Sequence, residues 1–170
     1  ADAVFSRAHP ALPPLQASSP SEELSDCDPL VPEQCMLPFP NNFFLREDSS
    51  MPSGHRVHFG PGTLPLDRSG KGIDPTEWNG LDGFTPMTAA LAYFEDVSIE
   101  NLPTHQDIAR SLDEDCPTLL IDAETGERLP HFAELNETGK EGSRKTFMIW
   151  PIERLDDAHR YIVAMRSLVH

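Results

Sequence analysis

The residues able to do chemistry are thinly spread along this chain, and their spacing decides what they can do together. His55-Arg56-Val57-His58 is a His-x-x-His, but it lies in an alternating run that reads as a short strand. Side chains on a strand point to opposite faces in turn, so the two rings cannot share a metal ion. Both read as surface or loop histidines. His131 and Glu134 are split across faces by the same geometry. Asp67 opens a stretch resembling a calcium loop, yet Lys71 stands at its fifth position and Trp78 at its twelfth, where a carboxylate is required. Asp113-Glu114-Asp115 and Glu95-Asp96 supply too few ligands for calcium and read as solvated faces. Ser53-Gly54 and Ser69-Gly70 lack the Gly-x-Ser-x-Gly frame of a nucleophile elbow. No catalytic residue, cofactor site or metal site is therefore assigned from sequence.

Three cysteines carry the remaining reactive chemistry. Cys27 and Cys35 bracket a loop held compact by Pro29 and Pro32, and a local disulfide between them would contribute about 2–3 kcal/mol in the chain-entropy account. Cys116 is left over. It is open to pairing with another chain, with the remainder of a longer protein, or with Cys27 or Cys35 instead, or to staying buried and free. Seven residues between Cys27 and Cys35 is not a zinc-ligand spacing. Trp78, Asp82 and Phe84 fall together in Trp78-Asn79-Gly80-Leu81-Asp82-Gly83-Phe84 and read as an aromatic-anchored loop that could also bind a ligand. Asn136-Glu137-Thr138 is an N-glycosylation sequon, meaningful only if the source is a eukaryote and the protein is secreted.

The elements that must position these groups are mostly strands. Seventeen prolines in 170 residues is about twice the ordinary share and disfavours long helices. Residues 1–26 are rich in proline and serine without periodicity and read as an extended arm or linker. Residues 27–170 are expected to form the domain. Met36 to Leu45 is apolar but interrupted by Pro38 and Pro40, so it must pack down on the core in extended form. His55 to Phe59 reads as a strand. Met87 to Phe94 and His105 to Leu112 are the helix candidates, each expected as a short surface helix or helical turn, the second with Thr104 as N-cap. From Pro117 the chain becomes dense in β-branched and aromatic residues. Leu119 to Ile121 and Leu129 to Leu135 are expected to pair across a turn at Asp122 to Gly126. Phe147 to Trp150 and Tyr161 to Val169 are expected to pair across 151–159. The strong strand running up to His170 suggests that His170 is a boundary inside a longer protein.

The net charge of −15 argues against nucleic acid and anionic membrane surfaces as partners. No apolar run is long enough for a membrane span. The expected setting is secreted or extracellular, with a periplasmic location also open.

Three motifs bear a resemblance to known proteins. Cys35 to Phe44 reads Cys-x-Leu-Pro-Phe-Pro-x-Asn-Phe-Phe, Trp78 to Phe84 reads Trp-Asn-x-x-Asp-Gly-Phe, and Asp122 to Leu135 reads Asp-x-x-Thr-Gly-Glu-Arg followed by His-Phe-Ala-Glu-Leu. In this order they resemble the N-terminal β-rich region of large secreted, mostly bacterial proteins of uncertain function. Ile149, Pro151, Leu155, Asp156, Tyr161, Val163 and Arg166 are similar to the pattern of the Ig-like modules that precede lipase-like α/β hydrolase domains. The resemblance implies a mainly β, Ig-like β-sandwich with long Pro-rich loops and one or two short helices. It implies a non-catalytic structural or interaction module that packs on a downstream domain or partner subunit. Two alternatives stand beside it: the N-terminal portion of a secreted lipase- or esterase-like hydrolase, and a self-assembling extracellular subunit that donates its arm to a neighbour's sheet edge.

Overall fold

A computed structural model of the chain describes residues 26–94, 97–136 and 145–168. Those residues are mainly β. Seven antiparallel strands form small sheets, joined by 3-10 turns and long loops, with no α-helix among the described residues. The strands are β1 (Leu45–Glu47), β2 (His55–Val57), β3 (Ala90–Phe94), β4 (Thr118–Asp122), β5 (His131–Leu135), β6 (Lys145–Pro151) and β7 (Tyr161–Met165). β1 pairs with β2, β6 lies between β3 and β5, and β4 pairs with β7.

The pairing differs from the sequence expectation. β4 and β5 begin a hairpin at the Asp122 turn, where Gly126 takes a φ of 74° and Ile121 bridges Arg128. The two strands then part. β5 runs on to β6 and β4 to β7, so the first expected pair forms only beside its turn and the second does not form. The reason lies in the apolar faces. Ala90, Ala92 and Phe94 of β3, Phe147 and Ile149 of β6, and Ala133 and Leu135 of β5 alternate in register onto one face of their sheet. They bury there with Leu102 and Leu168, and Val163 and Met165 of β7 pack against them. A simple pair of hairpins would give each two-stranded unit little apolar surface to cover.

The first helix candidate is corrected and the second keeps only a short helical turn. Ala90–Phe94 is a strand despite its alanines, because its alternate side chains fill the surface beside Phe147 and Ile149. Tertiary burial outweighs a helix preference of a few tenths of a kcal/mol (about 0.3–0.7) per residue. Around 105–112, the Thr104 hydroxyl accepts the N–H groups of Gln106 (3.3 Å) and Asp107 (3.2 Å), as a cap should. The chain nevertheless forms only a 3-10 helix at Ala109–Leu112.

A second cluster belongs to the N-terminal half. Phe44, Val57 and Phe59 are buried, ringed by Met36, Phe39, Phe43, Leu45, Leu64 and Phe84. Phe39 meets Phe84 edge-on at 5.1 Å. The extended segment expected at 36–45 therefore does pack down, with a 3-10 helix at Asn42–Phe44 before β1. The Asn41 side chain caps that turn by accepting the N–H of Phe43 at 2.7 Å. Its amide donates to the buried Asp28 carboxylate at 3.0 Å. The two clusters are joined by backbone: Phe39 and Leu91 exchange N–H to carbonyl bonds of 2.9 and 2.6 Å, adding a rung to the outer edge of β3.

Cys27 and Cys35 are bonded to each other, which closes the expected local loop. Cys116 is free and buried. Gly60 is required where it stands, since a Cβ there would lie 1.9 Å from the Asp26 carboxylate. Asp26 in turn accepts the N–H of Gly62 at 3.1 Å, and its carbonyl accepts the Thr63 hydroxyl at 2.7 Å. The start of the described chain is thus knitted to the loop after β2. The arm at 1–26 lies outside the described residues except for Asp26.

Candidate functional site

Three groups of side chains have geometry beyond simple packing. The first is interior. Ser111, Cys116, Thr118 and His131 are all fully buried. The His131 Nδ1 lies 3.0 Å from the carbonyl of Leu129, which can only accept, so Nδ1 carries the proton. Nε2 must then accept, and the Thr118 hydroxyl donates to it at 2.9 Å. The Cys116 thiol lies 3.7 Å from the same hydroxyl, which is free to accept from it. The Ser111 hydroxyl donates to the Ile108 carbonyl at 2.7 Å and accepts the N–H of His131 at 3.2 Å. Every partner has one consistent role. Burial pushes the His131 imidazole below its ordinary value and keeps it neutral. Cys, Thr and His in a row resemble the order of an activated nucleophile, yet no member reaches the surface. What the row does chemically is tie β4 to β5 where their backbones have separated.

The second group sits at the turn after β4. Asp122 accepts the N–H groups of Thr125 (2.9 Å) and Glu124 (2.8 Å) and a bond from His159 Nε2 at 3.0 Å. These hold its carboxyl down to about 2, the Thr125 amide contributing most. Glu124 lies 3.5 Å from the other ring nitrogen of His159. The imidazole is raised above its usual value, chiefly by its hydrogen bond to Asp122. It clasps the end of β4 to the entry of β7, where the backbone N–H of Ala123 also donates to Arg160 at 3.0 Å.

The third group faces outward. The Asn79 side chain imitates a strand: its Oδ1 accepts the N–H of Phe59 at 2.7 Å and its Nδ2 donates to the carbonyl of Phe59 at 2.9 Å. The carbonyl of Leu81 accepts the N–H of Val57 at 2.9 Å, and the carbonyl of Asp82 accepts the Ser53 hydroxyl. Loop 75–84 is thereby fixed along β2. Of the three residues singled out in sequence, Phe84 anchors the loop in the aromatic cluster and Asp82 ties it through its backbone. Trp78 points the other way and is 42% exposed, with Leu81 also exposed beside it in sequence.

The remaining sequence candidates stay apart. His55 and His58 are both exposed, and His131 is buried where Glu134 is exposed. Glu134 accepts the indole N–H of Trp150 at 3.0 Å, and Trp150 lies stacked against Phe132 at 6.3 Å. Asp113 and Asp115 are engaged by the Arg110 guanidinium at 2.9 and 2.6 Å. Asp67 is used by its own turn, accepting Ser69 and Lys71 N–H groups. Asn136 follows β5, while Glu137 and Thr138 of the sequon, like Glu95 and Asp96, lie outside the described residues. Among the described residues no group of three or more His, Cys, Asp or Glu is placed to hold a metal ion, and no helix is long and apolar enough to cross a membrane. Sequence reasoning missed Asn79, Thr118 and His159. The Asn79-Gly80 dipeptide signals a turn, but nothing in it shows that the side chain bonds the Phe59 backbone. No family model, curated protein or solved structure matches the chain.

Proposed function

We propose that this chain is a non-catalytic structural or interaction module of a secreted or extracellular protein, which packs on or positions a neighbouring domain or partner subunit. We read its frame as an Ig-like sandwich with β3–β6–β5 and β4–β7 as the two layers. The shared cluster that takes Phe147 and Ile149 from one and Val163 and Met165 from the other supports that reading. The Cys27–Cys35 disulfide is weakly consistent with an oxidising compartment.

The observation that carries the functional reading is Trp78. A large aromatic side chain held exposed on a loop clamped by Asn79 loses little entropy when it docks, and tryptophan is a preferred anchor of protein interfaces. Leu81, Met87 and Leu66, which stand on the same long connection, are exposed too. The experiment is affinity capture from the secreted fraction of the source, with the immobilised chain and its Trp78→Ala variant side by side. A partner held by the first should be lost from the second, a weakening of about 2 kcal/mol or more. The fold should be unchanged, since an exposed substitution moves stability by about 0.5 kcal/mol at most. Equal retention by both chains would remove Trp78 and its loop as the docking surface.

A further inference from the structure

Among the described residues strand β7 ends its sheet, and the hydrogen bonds at either end of the β4–β7 ladder fix which of its groups are used. The N–H of Arg166 donates to Pro117 and the N–H of Ala123 donates to Arg160, both in register with the ladder. An antiparallel pair alternates bonded and non-bonded positions. Ile162 and Ala164 therefore turn their backbone groups toward β4, and Tyr161, Val163 and Met165 turn theirs away. The opposite edge, on β4, is covered: Leu120 accepts the N–H of Leu129, and the N–H of Asp122 donates to Glu127. On β7 no hydrogen bond to another described residue reaches the outward groups of Tyr161, Val163 or Met165. Such an edge is a template for one more strand.

The side chains state what that strand should be. The outer face of β7 and its flanks reads Arg160, Ile162, Ala164, Arg166, with Ile162 43% exposed. Arg160 is exposed and pairs with no described carboxylate. The Arg166 guanidinium bonds the carbonyls of Cys116 and Glu114; the Asp115 carboxylate also feels its charge, but that carboxylate is bonded by Arg110 at 2.6 Å and makes no hydrogen bond to Arg166. Two arginines framing an apolar strip stand out on a chain of net charge −15. Pairing with a second copy about Val163 would set Arg160 opposite Arg166, like charge against like. We infer that β7 is a docking edge for an extended acidic segment of a partner, with carboxylates opposite Arg160 and Arg166 and an apolar residue opposite Ile162. This rests on the interaction-module reading above and names a second surface for it.

The probe is the capped peptide Thr-Glu-Thr-Val-Thr-Val-Thr-Glu-Thr, whose glutamates match the spacing of the two arginines on an opposed strand. Its control carries lysine for both glutamates, and binding is followed by calorimetry at low salt. The acidic peptide should bind saturably and the lysine peptide should not. Arg160→Glu should weaken binding about fivefold, as the loss and reversal of one exposed ion pair. Val163→Pro removes an outward N–H while sparing the ladder to β4, and should abolish binding. The acidic peptide N-methylated at its threonines would block the same bonds without altering the protein and should not bind. No saturable binding of the acidic peptide, equal binding of the lysine peptide, or unchanged binding after N-methylation would each overturn the inference. So would dimerisation of the chain alone that Val163→Pro removes, since a second copy would then be the occupant. Trp78→Ala should leave peptide binding intact. Peptide binding with a failed Trp78 capture sinks only the Trp78 reading, and the converse sinks only the edge.

Discussion

Thr118→Val tests the claim that a buried polar row holds β4 against β5. Valine keeps the shape of threonine, so no cavity is created and packing is unchanged. What disappears is the hydroxyl that donates to His131 Nε2 at 2.9 Å and lies 3.7 Å from the Cys116 thiol. The imidazole is left with a buried acceptor that has no donor, at a cost of about 1–3 kcal/mol. The thiol is a weak donor and adds little. The new methyl recovers less than about 1 kcal/mol through apolar burial. The net expectation is a loss of about 1.5 kcal/mol. With a urea slope of about 2 kcal/mol/M, the unfolding midpoint should fall by about 0.7 M at unchanged slope. Equilibrium unfolding is followed by tryptophan fluorescence and circular dichroism at a pH above the histidine range. Adding His131→Leu removes the orphaned acceptor as well, so the double variant should cost about 1 kcal/mol less than the sum of the singles. A midpoint within about 0.2 M of the parent, or strict additivity, would refute the reasoning.

Two further predictions concern pH and thiols. His159 is raised above its unfolded value of 6.5 by Asp122, so its contribution to stability is full below 6.5 and is lost as pH rises through its folded value. His131 has the opposite sign: lowered by burial, it costs stability as pH falls from 6.5 toward its folded value, because the unfolded chain takes up the proton first. Stability measured from about pH 5 to 8 should therefore rise as pH falls toward 6.5 in the parent and lose that rise in His159→Gln, while the fall below 6.5 set by His131 stays in both; an unchanged profile would rule the clasp out. As for thiols, a colourless-thiol reagent assay on the native chain should find none reactive. Denatured without reductant it should find one, from Cys116, because Cys27 and Cys35 are bonded. A reactive thiol in the native state would contradict the burial of Cys116.

Much of the local structure was legible. The segments at 55–59, 119–121, 129–135, 147–150 and 161–169 each hold an observed strand, and the turn with Gly126 at positive φ was expected from its composition. The pairing was not. Each of β4, β5, β6 and β7 could satisfy its alternation with several partners, and proximity along the chain favoured the wrong ones. Met87 to Phe94 failed for a related reason: Ala89, Ala90, Leu91 and Ala92 suit a helix in isolation, and only the face presented by β6 makes them a strand. At the candidate site the sequence pointed to Trp78, Asp82 and Phe84 but could not say which faced inward. That depended on Asn79 finding the Phe59 backbone twenty residues away.

Composition and short-range spacing by themselves pointed to a mainly β chain, to a local loop that Cys27 and Cys35 can close, and to His55 and His58 on opposite faces of a strand, since each follows from residue preferences or bond geometry over a few residues. Tertiary structure decided which strands are neighbours, that His131 is sealed with Thr118 while His159 is set between carboxylates, that Trp78 faces outward, and that β7 is left as an edge. These depend on contacts between residues far apart in the chain, where burying one apolar face and satisfying each buried polar group select among pairings that local preference leaves nearly equal.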